Sequence, residues 1–332
     1  MTAVSTLTGT IDSSALGRVL VHEHLFVLNE EYRYNYRPDF VEEDMIETAV
    51  EQLAELKAAG IDTIMDPTVL GLGRFIHRMK AVADRVELNI IPATGIYTYR
   101  DVPFPFTYVG PGLGYDVDRA PGQPADFMVD HFVNDLTVGI AGTDIRASFL
   151  KCAIDTHGLT PDIERILRAV AQAHLATGAP VTVHTDSHSR SGLLAQDVLE
   201  AEGVDLPRVI IGHSGDTKDV DYLRAVADRG SILGMDRFGH GGEEFGGFTF
   251  GDRINTIVAL VEEGYSDRIT LSHDNFVFAD FYPPGEPRNR LEKDLTFLVV
   301  SQQAVPALLD RGVTQAQVDE MLIHNPRRYF ER

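Results

Sequence analysis

Side chains that can bind a metal ion stand at the ends of short apolar runs in this sequence. The first run ends in His22 and His24, and two later runs end in His184 and His213. Imidazole nitrogens are common ligands of zinc, cobalt, iron and manganese in proteins. A single histidine in such a position is more often an ordinary core or surface residue, so only the joint occurrence of several indicates a site.

Two further runs carry ionisable residues of the same kind. Lys151 lies within the apolar run Phe149–Ile154, and Asp274 closely follows another run. A lysine at the centre of a core loses its hydration and must be neutralised, paired or modified. The alternatives are a rim lysine paired with a carboxylate, and an aspartate that caps the next helix. These alternatives explain poorly why ligand-type residues stand at five strand ends.

Short runs rich in β-branched residues alternate with longer amphipathic stretches over most of the chain. The predicted strands are Arg18–His22, Thr63–Met65, Asn89–Ala93, Ser148–Ala153, Val181–His184, Val209–Gly212, Ser231–Met235 and Ile269–Ser272. Apolar residues at three- and four-residue spacing predict helices over Val41–Ala59, Asp162–Ala176, Asp219–Asp228 and Asp252–Glu263. Pro161 and Gly178 supply start and stop signals for the second of these helices.

Eight such units predict an α/β fold, a closed (β/α)8 TIM barrel that spans residues 1–332 as a single domain. An open doubly wound sheet is the alternative, but it would ordinarily carry a phosphate-binding glycine pattern after the first strand, and none is present there. In a barrel the carboxyl ends of all strands converge on one face. Alternate residues of a strand share a face, so His22 and His24 should point to the site and Glu23 away from it.

Three irregular segments should form the loops of the active face. They follow the third, seventh and eighth predicted strands and span Tyr97–Asp126, Phe238–Gly251 and Asn275–Glu292. Loops at this face of a barrel commonly carry the residues that bind substrate.

Composition limits the classes of partner and the location. The 332 residues carry a formal net charge of −21. Such an acidic surface repels nucleic acid and anionic membranes, and it favours a neutral small-molecule substrate. The single cysteine, Cys152, excludes an internal disulfide. The sequence shows neither a signal-peptide core nor a membrane-spanning run, so a cytoplasmic location is expected.

The ligand-type residues belong to short motifs spread over nearly the whole chain. These are Val21-His22-Glu23-His24, Asp66-Pro67-Thr68, Ala93-Thr94-Gly95-Ile96-Tyr97, Lys151-Cys152-Ala153, Gly212-His213-Ser214-Gly215-Asp216, Gly234-Met235-Asp236-Arg237 and Ser272-His273-Asp274. In this order they resemble the phosphotriesterase family of the amidohydrolase superfamily. Tyr97, Tyr99 and Arg237 make the chain most similar to the phosphotriesterase-like lactonases of that family.

The resemblance implies a binuclear metal centre. The implied ligands are His22, His24 and Asp274 for one metal, and His184 and His213 for the other. Lys151, as N6-carboxylysine, would bridge the metals together with a hydroxide, because a carbamate offers each metal an anionic oxygen and an ammonium cannot. Zinc is expected, with cobalt, iron or manganese as alternatives.

The resemblance also implies roles around the metals. Asp274 would take a proton from the attacking hydroxide and pass it to the leaving group. Asp216 and Arg237 are candidates for supporting residues or for a proton exit. Tyr97 would contact the ring oxygen of the substrate or orient the hydroxide, with packing in its loop as the alternative. The residues predicted to line a substrate pocket are Tyr99, Phe276, Phe278 and Phe281.

The implied activity is that of a lactonase that opens acyl-homoserine lactones or other γ/δ-lactones, with promiscuous activity on phosphotriesters. A true phosphotriesterase or another esterase would share every metal ligand and differ only in loop residues. A barrel that binds metal or ligand without turnover is the alternative from another class. Members of the family are commonly homodimers, so the aromatic residues after the last strand could form a dimer contact. The chain departs from the lactonases at Asn275-Phe276, which leaves the substrate open.

Overall fold

The computed structural model of the chain describes residues 2–109, 126–241, 247–281 and 296–331. Its first element is an antiparallel hairpin of β1 (Ala3–Thr6) and β2 (Gly9–Asp12), which the sequence did not predict. In the turn of this hairpin the Leu7 amide donates to the Ile90 carbonyl at 2.9 Å. The hairpin therefore packs against the amino-terminal ends of the strands that follow.

Parallel strands form the wall of a barrel. They are β3 (Val19–Leu20), β4 (Glu23–Val27), β5 (Thr63–Asp66), β6 (Asn89–Gly95), β7 (Phe149–Ile154), β8 (Val181–Thr185), β9 (Val209–Ile211), β10 (Ile232–Met235), β11 (Ile269–Leu271) and β12 (Asn275–Ala279). Neighbours in the main sheet follow the order β3-β5-β6-β7-β8-β9-β10-β11. β3 and β4 together form the first barrel strand, and β11 and β12 together form the last. β12 pairs in parallel with β4, so the first and last barrel strands are neighbours. The predicted (β/α)8 barrel is confirmed.

The junction of the first and last strands is held by side chains as well as by the ladder. The His22 amide donates to Ser272 Oγ at 2.9 Å, and the His22 carbonyl accepts from the Asp274 amide at 3.0 Å. Glu23 is buried and points away from the site, as predicted. Its carboxylate accepts hydrogen bonds from Ser272 Oγ, His273 Nδ1 and the Asn275 amide. These bonds fix the bend between β11 and β12 and thereby place Asp274.

Helices connect the strands on the outside of the sheet. They are α1 (Glu30–Tyr36), α2 (Glu42–Ala58), α3 (Ile76–Ala83), α4 (Phe127–Thr137), α5 (Pro161–Thr177), α6 (Ser191–Ala201), α7 (Val220–Asp228) and α8 (Phe250–Glu262). The predicted end signals of α5 are present, because Thr160 Oγ1 caps the first turn and Gly178 ends the helix at a φ of 72°. Short helices at Val305–Asp310, Gln315–Asp319 and Asn325–Phe330 follow. Within the described ranges, every helix is too short or too polar to cross a bilayer.

The barrel interior is packed at the amino-terminal end of the strands. Val19, Ile91 and Phe149 form an apolar layer there together with Tyr329 of the last helix. The Tyr329 hydroxyl lies 2.9 Å from Thr182 Oγ1, so the polar group that this ring carries into the core has a partner. Because this end of the barrel is filled by side chains, the site lies at the opposite end, where the carboxyl ends of the strands meet.

One loop prediction was partly wrong. Residues 275–279, predicted as the start of an irregular loop, form β12. The reason is that Phe276, Val277 and Phe278 suit an extended strand, and β4 offers a free edge with which it can pair. Residues 110–125, 242–246 and 282–292 of the three predicted loops lie outside the described residues.

Candidate metal centre and active site

The residues predicted at the strand ends converge at the carboxyl face of the barrel. His22 Nε2 and His24 Nε2 each lie 3.4 Å from Asp274 Oδ1. On the other side of the group, His184 Nδ1 lies 2.8 Å from His213 Nε2. All four imidazoles are buried. The structure therefore brings together both sets of residues that were predicted to hold one cation each.

Two of these residues have an unusual backbone conformation. His213 and Asp274 lie in the left-handed region, with φ of 59° and 56°. A residue with a side chain rarely adopts this conformation, which costs of order 1 kcal/mol or more unless the surroundings enforce it. His213 follows β9 closely and Asp274 follows β11 closely, at the carboxyl face of the barrel. Such strain is typical of functional positions.

Lys151 lies at the centre of the group, on β7. Its side chain is completely buried, and Nζ is 3.4 Å from His22 Nε2. Burial lowers the pKa of Lys151 to about 8, although Asp274 and Asp236 oppose the shift. The alternative of a rim lysine that reaches the surface is therefore wrong.

The outward nitrogen of each imidazole has its own hydrogen-bond partner. The pairs are His22 Nδ1 with Asp236 Oδ2 at 2.9 Å, His213 Nδ1 with Asp236 Oδ1 at 3.0 Å, His184 Nε2 with Asp155 Oδ2 at 2.6 Å and His24 Nδ1 with Thr68 Oγ1 at 2.7 Å. An ionised carboxylate only accepts hydrogen bonds, so each ring nitrogen that faces one carries the proton. The inward nitrogens of His22, His184 and His213 consequently present bare lone pairs to the centre.

This donor set fits divalent cations. Burial, more than any other cause, lowers the pKa of His22 to about 3 and that of His184 well below the usual range, so both rings are neutral. His184 Nδ1 and His213 Nε2 face each other at 2.8 Å, close enough for one cation to bind both nitrogens. Ligand atoms of His22, His213 and Asp274 lie within 4.8 Å of one another. Imidazoles oriented by an outer carboxylate are typical of zinc sites.

Arg237 links Asp274 to a second buried carboxylate. Its Nε donates to Asp274 Oδ2 at 2.9 Å, and its Nη1 donates to Asp216 Oδ2 at 2.8 Å. Arg253 also donates to Asp216. Although burial opposes it, these two carboxylates raise the pKa of Arg237, and a guanidinium in any case keeps its proton. Of the two predicted roles, the geometry favours the one in which Arg237 supports and orients Asp274.

A cavity of 240 Å³ opens beside the converging residues. Tyr97 and Tyr99 line one wall, where the Tyr97 hydroxyl donates to the Tyr99 hydroxyl at 2.9 Å. Phe276 and Phe281 line another, with ring centroids 5.4 Å apart in a T-shaped contact. Phe281 is 62% exposed and so marks the mouth. A larger cavity of 780 Å³ lies at the opposite end of the barrel, and none of the converging histidines lines it.

Phe278, predicted as a pocket residue, lies elsewhere. Its ring packs against Phe40 with centroids 4.9 Å apart, beneath the Arg37 guanidinium. Two residues advance a strand by about 6.6 Å, so β12 carries Phe278 past the cavity that Phe276 lines. Phe278 anchors β12 to the segment after α1, and the prediction of a pocket role is wrong.

Some residues that hold the site together were missed in the sequence. Asp155 follows β7 four residues after Lys151 and holds His184. Asp236 follows β10 beside Arg237 and holds two histidines. Asp236 stood in the motif Gly234-Met235-Asp236-Arg237 but was given no role. The only signal for Asp155 was a carboxylate at the end of a strand, which is equally common at loop starts and helix caps.

A (β/α)8 barrel with such a site at its carboxyl face is typical of enzymes. Comparison with known proteins specifies the family, because residues 2–330 match the model of the phosphotriesterase family. The phosphotriesterase homology protein of Mycobacterium tuberculosis is 46% identical over 100% of this chain and 98% of its own. The aryldialkylphosphatase of Saccharolobus solfataricus is 34% identical, with 97% of each chain covered.

Solved structures agree with this relationship. A structure described as the phosphotriesterase from Mycobacterium tuberculosis superposes with a TM-score of 0.93 at 46% identity, covering 99% of this chain and 98% of that one. The chain therefore belongs to the phosphotriesterase family, as its motifs predicted, and is a hydrolase.

Proposed function

We propose that this hydrolase uses a binuclear centre of divalent cations, with zinc as the expected metal. The observation that carries the proposal is the set of buried imidazole lone pairs that meets the Asp274 carboxylate at one face. The proposed ligands are His22, His24 and Asp274 for one cation, and His184 and His213 for the other. When bound, two such cations supply Lewis acidity towards a carbonyl or phosphoryl oxygen and lower the pKa of water enough for reaction near neutral pH.

Lys151 is proposed to be carboxylated on Nζ and to bridge the two cation positions. With its pKa lowered to about 8, a much larger share of its amine is unprotonated near neutral pH than in an ordinary lysine. The unprotonated amine is the form that adds carbon dioxide. The resulting carbamate is an anion, and it would balance cationic charge in a place where the lysine is fully shielded from solvent.

Asp274 is the proposed general base. Burial raises its pKa, but the neighbouring groups, among them the Arg237 guanidinium and the hydrogen bond with His24, more than offset this and hold the pKa well below its usual range. The carboxylate is therefore ionised near neutral pH, which is the form that a general base needs before it takes a proton from the attacking water and returns it to the leaving alkoxide. Arg237 fixes Oδ2, which leaves Oδ1 directed at His22 and His24.

The substrate is proposed to be a small neutral ester, with γ/δ-lactones, including acyl-homoserine lactones, as the preferred class. A cavity of 240 Å³ holds about eight waters' worth of liquid volume, enough for a lactone ring and a short chain. The hydroxyls of Tyr97 and Tyr99 offer hydrogen bonds to the ring, and the apolar wall of Phe276 and Phe281 suits an acyl chain that extends towards solvent. A formal charge of −21 disfavours anionic substrates.

Phosphotriesters are the second candidate. The relative named aryldialkylphosphatase, at 34% identity, supports this class, because the proposed metal ligands would serve either reaction. We propose that phosphotriester cleavage is a side activity, since the paired tyrosine hydroxyls add polar contacts that suit a lactone ring.

The deciding experiment measures kcat/KM on one zinc-loaded preparation. The substrates are a series of acyl-homoserine lactones, a plain δ-lactone and an aryl phosphotriester, and the Lys151→Ala variant controls for contaminating activity. Lactones are expected to exceed the phosphotriester by several orders of magnitude. A phosphotriester rate equal to or above the lactone rates would overturn the lactone proposal. A chain that binds no metal would overturn the proposal of a metal-dependent hydrolase, and one that binds metal but turns over none of the substrates would overturn the proposed substrate classes.

A further inference from the structure

Asp236 contacts histidines from both halves of the proposed metal centre. It follows β10, is completely buried, and accepts through Oδ2 from His22 Nδ1 at 2.9 Å. Its other oxygen, Oδ1, accepts from His213 Nδ1 at 3.0 Å and from the His213 amide at 2.8 Å. The two imidazole centroids are 4.9 Å apart, so one carboxylate lies behind two adjacent rings. In the proposed assignment, His22 belongs to one cation position and His213 to the other.

Two glycines leave the space that this carboxylate occupies. A Cβ at Gly234 would lie 2.7 Å from Asp236 Oδ2, and a Cβ at Gly212 would lie 3.2 Å from the same atom and 2.9 Å from the Val183 carbonyl oxygen. Neither glycine has a positive φ, so backbone conformation does not explain the choice of residue. The explanation is steric: larger residues at these two positions would displace the carboxylate from His22.

The residues that hydrogen-bond the other two histidines each contact fewer rings than Asp236 does. Asp155 bonds His184, and Thr68 bonds His24, and each of these contacts one imidazole. Among the hydrogen bonds of the described residues, Asp236 alone holds two of the proposed ligand rings.

We propose that Asp236 is a positioning residue that couples the two cation positions, an inference that rests on the binuclear centre proposed above. By accepting from both Nδ1 atoms, it holds both rings in the tautomer whose Nε2 lone pair faces inward. A single carboxylate thus sets the direction of one ligand in each half. A disturbance of Asp236 should weaken both positions together, whereas a disturbance of Asp155 or Thr68 should weaken one.

The Asp236→Asn substitution tests this with little change in shape. An asparagine offers one carbonyl oxygen and one NH2 group, so it can accept from only one of the two Nδ1 atoms. The other ring must lose its partner or change tautomer, which turns its lone pair away from the centre. Asp155→Asn is the matched control, because it makes the same chemical change at a carboxylate that serves a single ring.

The first readout is cation affinity, measured in the full chain by competition with a chromophoric zinc chelator. Asp236→Asn is expected to lower the affinity of both positions by about 10- to 100-fold, and Asp155→Asn that of one position only. The second readout is the ring ¹⁵N spectrum of the histidine-labelled, cation-free chain, in which Asp236→Asn should convert one Nδ1-protonated ring to the other tautomer. This spectrum depends on neither turnover nor metal.

Gly234→Ala provides a second variant should Asp236→Asn fail to fold. Its added methyl group would lie 2.7 Å from Oδ2 and 3.1 Å from the Gly212 Cα that precedes His213, so it should also weaken both positions. A folded Asp236→Asn chain that loses one position or none, with unchanged tautomers, would overturn the coupling and leave the proposed function intact. A wild-type chain that binds fewer than two cations would overturn the proposed function and the coupling together.

Discussion

Replacement of Phe276 by alanine tests where the acyl part of the substrate lies. Phe276 is buried on β12, lines the 240 Å³ cavity and contacts the ring of Phe281 at its mouth. Each methylene group of an acyl chain that is buried against this wall contributes about 0.8 kcal/mol. Since every 1.4 kcal/mol is a factor of ten, this corresponds to about a fourfold increase in kcat/KM per methylene.

For the wild-type chain we expect that slope over the first few methylenes. It should flatten once the chain passes Phe281, whose ring is 62% exposed, because further methylenes then stay in water. Phe276→Ala removes the inner wall, so the first methylenes should gain less than twofold each. The assay is kcat/KM for a homologous series of acyl esters or lactones, measured on preparations of equal metal content.

Phe278→Ala is the matched control, since it deletes the same ring from the same strand outside the cavity. It should lower stability, because it removes the contact with Phe40, and leave the slope unchanged. If both variants changed the slope equally, or if neither did, the assignment of this cavity to the acyl chain would be wrong.

Three further predictions concern the centre and its support. Lys151→Ala should lose both cations by elemental analysis and lose activity, and a variant with two cations and full activity would refute the bridging role. Arg237→Lys keeps the charge but cannot bond both carboxylates, so kcat should fall about 10- to 100-fold with cation content retained, and an unchanged kcat would argue against orientation of Asp274. Tyr329→Phe leaves the Thr182 hydroxyl unpaired, so urea denaturation should show a loss of about 1–3 kcal/mol, with kcat of the folded enzyme unchanged.

Much of the barrel was predictable because its strands are short apolar runs that end in ionisable residues. His184, for example, ends a run of β-branched residues, and the structure finds it at the end of β8. The face of the strand on which a side chain lies was also predictable, because successive side chains of a strand point to opposite faces. Glu23, between His22 and His24, is an example. Both arguments use local sequence, and both succeed where local pattern and tertiary packing agree.

The failures have a common physical origin in contacts between distant segments. Phe278 looked equivalent to Phe276, and its packing on Phe40 depends on how far β12 extends beyond the site. The role of Asp236 depends on two histidines from other strands and on the space left by Gly212 and Gly234. A single sequence holds no local signal for either, since each is decided by which strands become neighbours.

Closure of the barrel also determines when, during protein synthesis, the predicted metal ligands can come together. His22 and Ser272, which join the first and last barrel strands, are 250 residues apart in the chain. A ribosome therefore completes almost the entire barrel before Asp274 can meet His22 and His24, and contacts between such distant residues form slowly. A nascent chain thus exposes separate histidines but no assembled centre, so any cation captured early is held by fewer ligands and is readily released. The complete set of ligands can therefore come together only after the whole barrel has folded.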